Sequence, residues 1–271
     1  GGYFGPLLKF SGFDSLEIQG KSDRDVIIFI DGNKGIVRIE ESLIEVADSH
    51  LLGEQLTEMF AENEEDKRNI SVVSTGSAAQ NTLIGLLNFT FYDVRRKAIR
   101  MKQAGRGGIG TVFRDKKIKA LVVRFAGVKG NLNNPADQGR INMTGIKMHK
   151  EICDNDAKQN RMRQVGTAGL IEIMNEYDLL PTHNYKFGSH KDAYKIASGV
   201  FKSMITQNVP DGCWYGCSLS CAKAVDNFEV KTGPYKGQKV IVDGPEYENA
   251  AGLGANCGIF DPYYILEANF Y

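Results

Sequence analysis

With 271 residues, 42% of them hydrophobic, the chain has enough apolar material to bury one large core or two of ordinary size. Its 33 basic and 33 acidic side chains cancel, which excludes a global field that would draw it to nucleic acid or to an anionic membrane. No apolar run approaches the ~20 residues that span a bilayer, and the first residues lack the basic region and cleavage site of a signal peptide, so no membrane span and a cytoplasmic location are expected. The chain opens on Gly1-Gly2-Tyr3-Phe4-Gly5 without a methionine and stops on Asn269-Phe270-Tyr271, and it reads as an internal segment of something larger. Five cysteines, an odd number with three of them clustered, fit metal ligation in a reducing compartment better than a disulfide framework.

The first half reads as rich in strands. Extended segments are predicted at Leu16 to Gln19, Asp25 to Ile30 and Gly35 to Ile39, and Asp31-Gly32 between two β-branched runs signals a hairpin whose glycine supplies a positive φ. Leu52, Leu56, Met59 and Phe60 recur at helical spacing, giving a helix over Leu52 to Asn63. A strand at Ile70 to Thr75, a strand or helix at Thr82 to Phe91 and a strand at Ala120 to Phe125 follow. A polar loop from Asn131 to Arg140 then changes the texture, and helices are predicted over Met143 to Asp154, Gly169 to Tyr177 and Asp192 to Gln207. The expected class is α+β, a strand-rich domain over 1–130 and a mainly helical one over 131–271, with the boundary near 128–140.

Two glycine-rich stretches lie in the first half. Ser74-Thr-Gly-Ser-Ala-Ala follows a strand, and Ala104-Gly-Arg-Gly-Gly-Ile-Gly110 precedes one. Small residues let backbone amides approach a phosphate, and Arg106 adds a planar cationic fork, although neither spacing is a dinucleotide fingerprint or a P-loop. In the second half Cys213, Cys217 and Cys221 recur at every fourth position beside Trp214, the one tryptophan. Three thiolates this close suit zinc or three corners of an iron–sulfur cubane, whereas a helical reading would make them a packed stripe of small side chains. Pro210, Gly212 and Gly216 favour a loop. Further on, Glu246 and Glu248 stand among small residues and Glu267 in an apolar run, where a carboxylate serves either acid–base chemistry or a structural hydrogen bond. Cys257 is a candidate fourth ligand or a small buried residue. His183 and His190 are read as surface or core-satisfied side chains.

Gly1-Gly-Tyr-Phe-Gly-Pro-Leu-Leu-Lys-Phe, Ala104-Gly-Arg-Gly-Gly-Ile-Gly, Leu180-Pro-Thr-His-Asn-Tyr185, the clustered cysteines and Gly244-Pro-Glu-Tyr-Glu-Asn together resemble the tungsten-containing aldehyde ferredoxin oxidoreductase family. The resemblance spans essentially the whole chain, although members run to roughly twice its length. It implies a pterin-binding N-terminal domain followed by the start of the helical domains. It also implies tungsten, or molybdenum in its place, on two molybdopterins, a 4Fe-4S cluster, and Mg2+ bridging the pterin phosphates. The implied reaction interconverts an aldehyde and its acid, with ferredoxin or an iron–sulfur subunit as electron partner and assembly as a homo-oligomer.

Carried over by residue, Cys213, Cys217 and Cys221 resemble three of four cluster ligands, with a first spacing one residue longer than the family's. The fourth family ligand would lie beyond Tyr271, which argues against Cys257. Gly1, Gly2, Ala104, Gly105, Arg106, Gly107 and Gly108 resemble pterin-phosphate contacts, and Lys102 stands near the family's phosphate-bridging arginine. Glu248 resembles the active-site glutamate, expected in an apolar pocket, with Glu246 as the neighbour most easily confused with it. Glu267 resembles a second carboxylate near the pterin. Two other readings compete with this one: an aryl-CoA reductase subunit of the same family, and a non-catalytic iron–sulfur or zinc module. The Glu-Tyr-Glu motif favours aldehyde chemistry.

Overall fold

The computed structural model describes residues 2–46, 48–127, 135–207, 209, 211, 213, 214 and 216–271. Gly1, Pro210, Gly212 and the first part of the polar loop expected from Asn131 lie outside them. The chain is α+β and divides into two compact units, Gly1–Gln138 and Gly139–Tyr271.

The first unit is built on helix α1 (Phe4–Phe10), strands β1 (Val26–Asp31) and β2 (Ile36–Glu41), helix α2 (Ser49–Phe60), strands β3 (Ile70–Ser74), β4 (Leu87–Asp93) and β5 (Ala98–Ala104), helix α3 (Ile109–Asp115) and strand β6 (Ile118–Arg124). The strands form one six-stranded sheet in the order β2-β1-β6-β3-β4-β5, with β1 and β6 parallel and the other neighbours antiparallel. Side chains alternate across it. Ile28, Ile30, Val73, Leu121 and Val123 meet Phe4, Leu7 and Leu8 of α1 and Phe113 of α3, while Ile27, Phe29, Ile70, Val72, Ala120 and Val122 meet Leu52 and Leu56 of α2. Burial on both faces explains why the central strands are mainly apolar, with the buried Ser71 hydroxyl of β3 satisfied by the Thr90 carbonyl. Each buried Leu, Ile or Val there contributes ~1.5–3 kcal/mol relative to exposure.

Several expectations change here. Leu16 to Gln19 forms no strand; only Ile18 of that stretch packs on the core. The β1–β2 hairpin forms, but its positive φ falls on Gly35 at +67°, not on Gly32. Gly32 is required by proximity instead, since a Cβ there would lie 2.1 Å from Ser11 Oγ and 2.8 Å from the Phe125 ring. The turn itself is closed by the Asp31 carboxylate, which accepts from the Asn33 and Lys34 amides at 3.1 and 3.2 Å. Helix α2 starts earlier than expected because Asp48 caps the amides of His50 and Leu51, and it ends at Phe60. Asn63 caps a separate 3-10 turn, Glu64–Asn69. Strand β4 begins only at Leu87, and β5 is new: its basic residues masked a strand that occupies a sheet edge, where charge is tolerated.

Arg114 grips Asp25 with two hydrogen bonds, 2.6 and 2.9 Å, and holds its carboxyl below the usual carboxylate range. A depressed folded-state value stabilises above the unfolded pKa of about 3.9 and loses that stabilisation as pH falls through the folded value. Asp25→Asn is therefore expected to cost roughly 1 kcal/mol at pH 7 and less at pH 2, read by denaturant midpoints at the two pH values. An equal loss at both would assign the effect to packing.

The second unit contains α4 (Gln138–Lys158), α5 (Met162–Val165), α6 (Leu170–Glu176), α7 (Ser198–Met204), a two-stranded antiparallel sheet of β7 (Ala224–Glu229) and β8 (Lys239–Asp243), the single turn α8 (Tyr247–Asn249) and α9 (Pro262–Phe270). Ile171, Leu180, Ile196, Phe201, Val230, Ala250, Ile265 and Leu266 form its fully buried core. The helix expected over Asp192 to Gln207 is split. A 3-10 turn, Lys191–Ile196, precedes α7, Ala197 between them is extended, and Glu172 of α6 caps α7 by accepting from the Ser198 amide and hydroxyl. The β7–β8 hairpin replaces what read as helix and loop. Among the described residues no helix is long and apolar enough to cross a membrane.

Candidate functional site

In the first unit the expected phosphate-contacting residues gather at one end of the β4–β5 hairpin. Register places Lys102 opposite Phe89 and Ala104 opposite Leu87. Gly2, buried with φ +59°, lies against the same Phe89, where an added Cβ would sit 3.1 Å from the Phe89 Cβ. The loop leaving β5 then takes three positive φ values, at Gly105 (+86°), Gly107 (+78°) and Gly108 (+81°). Gly107 has nothing within 4 Å of its Cβ position, whereas a Cβ on Gly108 would lie 2.2 Å from the Leu83 carbonyl oxygen and one on Gly110 would lie 2.2 Å from that of Leu86. The loop is thus pressed backbone to backbone on its inner side and open on its outer side. Arg106 is exposed at its tip and Lys102 is half-buried.

In the second unit the β7–β8 hairpin unites two motifs that lie far apart in sequence. Ala224 pairs with Asp243, so the cysteine segment entering β7 and the Gly244-Pro-Glu-Tyr-Glu segment leaving β8 emerge side by side. The Gly244 amide donates to the Lys223 carbonyl at 2.7 Å. Asp211 and Ala222 form a β-bridge that closes the base of the cysteine segment. That segment is a loop, which removes the helical-stripe reading. Gly216 lies beneath the indole of Trp214, 2.4 Å from where its Cβ would be, so a side chain there would displace the ring.

The three thiols lie on this loop, Cys213 exposed and the other two half-buried. Burial pushes the Cys221 thiol up, and Glu246, Cys213 and Cys217 add to the shift. Glu246, Cys213 and Cys217 are therefore each within electrostatic reach of Cys221, whose thiolate is disfavoured there unless a cation compensates it. Among the described residues no three His, Cys, Asp or Glu side chains converge as a closed metal site. Lys223, only 4% exposed, donates to the carbonyls of Ser220 and Ala222 at 2.6 and 3.2 Å. Burial pulls its amine down, against the opposing charges of Cys221, Asp211 and Glu246.

The two glutamates separate. Glu246 is half-buried and accepts a hydrogen bond from the Thr167 hydroxyl, which in turn accepts from the Tyr247 amide at 2.9 Å. Glu248 is exposed on this chain, which corrects the expected apolar pocket. The small residues after it serve packing: α8 widens into a π-helical stretch, Ala250–Gly254, whose Gly254 leaves no room for a Cβ 2.5 Å from Ile265. Glu267, 5% exposed, accepts from the Lys231 and Thr232 amides and the Thr232 hydroxyl, bonds that lower its pKa and tie down the β7–β8 loop. Cys257 is exposed and donates to the Gly252 carbonyl, so it is not the small buried residue that one reading expected. His190 stacks on Phe260 at 4.3 Å and accepts the Asp192 amide, a satisfied structural side chain. Thr167 and Lys223 carried no sequence signal, because their partners lie in other motifs.

The sequence model for the N-terminal domain of aldehyde ferredoxin oxidoreductase matches residues 1–125, and the model for its domains 2 and 3 matches residues 144–271. The chain belongs to the aldehyde ferredoxin oxidoreductase family. Within that family, a tungsten-containing aldehyde ferredoxin oxidoreductase of Pyrococcus horikoshii is 31% identical over all of this chain, and one of Pyrococcus furiosus is 30% identical over 99% of it. A more distant family relative, the WOR-like subunit of an aliphatic sulfonate oxidoreductase of Pyrococcus furiosus, is 25% identical over 97% of the chain. The chain spans 40% of the length of each of these relatives.

Proposed function

We propose that this chain forms part of a tungsten- or molybdenum-pterin oxidoreductase that interconverts aldehydes and carboxylic acids. Electrons would leave through an iron–sulfur cluster to ferredoxin or a partner subunit; the sulfonate-oxidoreductase relative, itself a subunit, favours the latter. The observation that carries the reading is the β7–β8 hairpin, which sets the cysteine loop beside the Glu-Tyr-Glu segment with Cys221 in electrostatic reach of Glu246.

The residues present fit the implied groups chemically. Cys213, Cys217 and Cys221 supply the soft donors of a cluster, and the burial and neighbouring charge that disfavour the Cys221 thiolate are what a metal relieves. Gly2, Lys102 and the Ala104 to Gly108 loop with Arg106 supply the small, cationic surface that pterin phosphates need, and its open side at Gly107 leaves room for them. Bound tungsten would supply Lewis acidity and accept the two electrons of the oxidation. Glu248, exposed on the turn that leaves β8 and the match to the family's active-site glutamate, is the carboxylate assigned to take the proton from water or from the hydrated aldehyde.

Anaerobic assay of the full-length protein with a low-potential viologen dye tests the proposal. Aldehyde-dependent dye reduction is expected. Dye reduction supported by a sulfonate and never by an aldehyde, or oxidation of pre-reduced dye by an aromatic acyl thioester, would replace it.

A further inference from the structure

His183, Asn184 and Tyr185 occupy the left-handed region in succession, with φ of +49°, +57° and +62°. Asparagine visits that region readily, but a tyrosine there is an outlier, and three non-glycine residues in a row form a left-handed turn that an unrestrained loop would abandon. This turn is held. The His183 amide donates to the Ala255 carbonyl at 3.0 Å, the Asn184 amide to the Asn256 carbonyl at 2.6 Å, and the Tyr185 amide to Asn256 Oδ1 at 2.9 Å. A β-bridge between Thr182 and Phe187 closes the turn from the other side. Gly258, at φ +73°, makes way for the His183 ring, which a Cβ there would meet at 2.7 Å.

The anchor is therefore the segment that follows the Glu248 turn and its π-helical extension, itself an irregularity frequent at functional sites. The strain brings no core burial in return, for Tyr185 is 77% exposed and Phe187 52% exposed. Backbone strain maintained by surrounding contacts, around an aromatic side chain left at the surface, is the pattern of a pre-set binding group. The phenol of Tyr185 and the carboxylate of Glu248 both reach the Tyr247 hydroxyl electrostatically.

We propose that Tyr185 is a substrate-positioning residue whose ring forms a wall beside Glu248 and favours aldehydes carrying a flat aromatic substituent. The assignment rests on the aldehyde-oxidising reading above. An aromatic side chain carried on a pinned backbone offers a stacking surface at low backbone-entropic cost, and stacking discriminates aromatic from small aliphatic substrates.

The test is kcat/KM of the full-length holoenzyme for benzaldehyde and for acetaldehyde, in the wild type, Y185F, Y185A and Y185G. The benzaldehyde-to-acetaldehyde ratio is expected to fall by about 10-fold in Y185A and Y185G, through KM for benzaldehyde, and to stay within about 2-fold in Y185F. Glycine adopts the same φ without strain, so Y185G retains the turn where alanine disturbs it. An active wild type with an unchanged ratio in Y185G would overturn the assignment of Tyr185 alone. A wild type that oxidises neither aldehyde would overturn the aldehyde reading, and this assignment with it.

Discussion

Glu248→Gln in the full-length protein is expected to lower kcat for aldehyde oxidation by about 10²–10⁴-fold while tungsten and iron contents stay at wild-type levels. The amide keeps the size of the side chain and removes its ability to accept a proton, so the loss reports proton transfer and not folding. Position supports choosing Glu248 over its neighbour: Glu246 is engaged by the Thr167 hydroxyl and faces the cysteine loop, whereas Glu248 is exposed on the adjacent turn. Glu246→Gln keeps an acceptor for Thr167 and should leave turnover within about 10-fold of wild type. A Glu248→Gln enzyme of full activity would remove this residue from the chemistry, and the reverse pattern would exchange the two roles.

Gly108→Ala should be strongly damaging to the first unit. Its Cβ would fall 2.2 Å from the Leu83 carbonyl oxygen, a backbone atom that no rotamer change can move aside, and its φ of +81° is strained for alanine in any case. The two effects together are expected to cost ~3–5 kcal/mol, in the range reserved for overpacking and strain at special backbone positions. Thermal unfolding of purified protein checks the stability, and metal analysis checks the site: pterin-bound tungsten should be lost in proportion to the disturbed loop. Gly107→Ala, with open space at its Cβ position, should lose far less stability. Equal losses at the two positions would contradict the backbone-contact account and leave only the shared φ penalty.

The parts of the fold that sequence revealed are those in which one physical signal dominates. Strands β1, β3 and β6 are buried on both faces and are therefore dominated by β-branched and other apolar residues. Strand β5 was hidden because Arg100 and Lys102 interrupt its pattern at a sheet edge. The β7–β8 pair was hidden for another reason: its register shifts between Val225 and Phe228, with Asn227 at φ +57°, so period-two alternation never develops. Helix α7 was overextended because its true start is set by Glu172, a residue of a different helix.

The same distinction runs through the site. The cysteine loop and the glycine loop were legible because composition alone marks them. The tie between Glu246 and Thr167 was not, since the two residues are 79 positions apart. Glu267 illustrates the converse: its apolar surroundings suggested a functional carboxylate, and the structure gives it three bonds that close a hairpin loop. The left-handed turn at His183 to Tyr185 has no local signal, because its residues adopt those angles only under contacts supplied by Ala255 and Asn256.

The central claim is that the cysteine loop and the glycine loop serve one metal-pterin enzyme, and elemental analysis of anaerobically purified full-length protein tests it most directly. Tungsten or molybdenum near one per chain with iron near four per chain is the predicted result, as one metal centre and one cubane require. Iron or zinc without tungsten or molybdenum would contradict it, reduce the cysteine loop to a structural or electron-transfer element, and withdraw the roles given to Glu248 and Arg106.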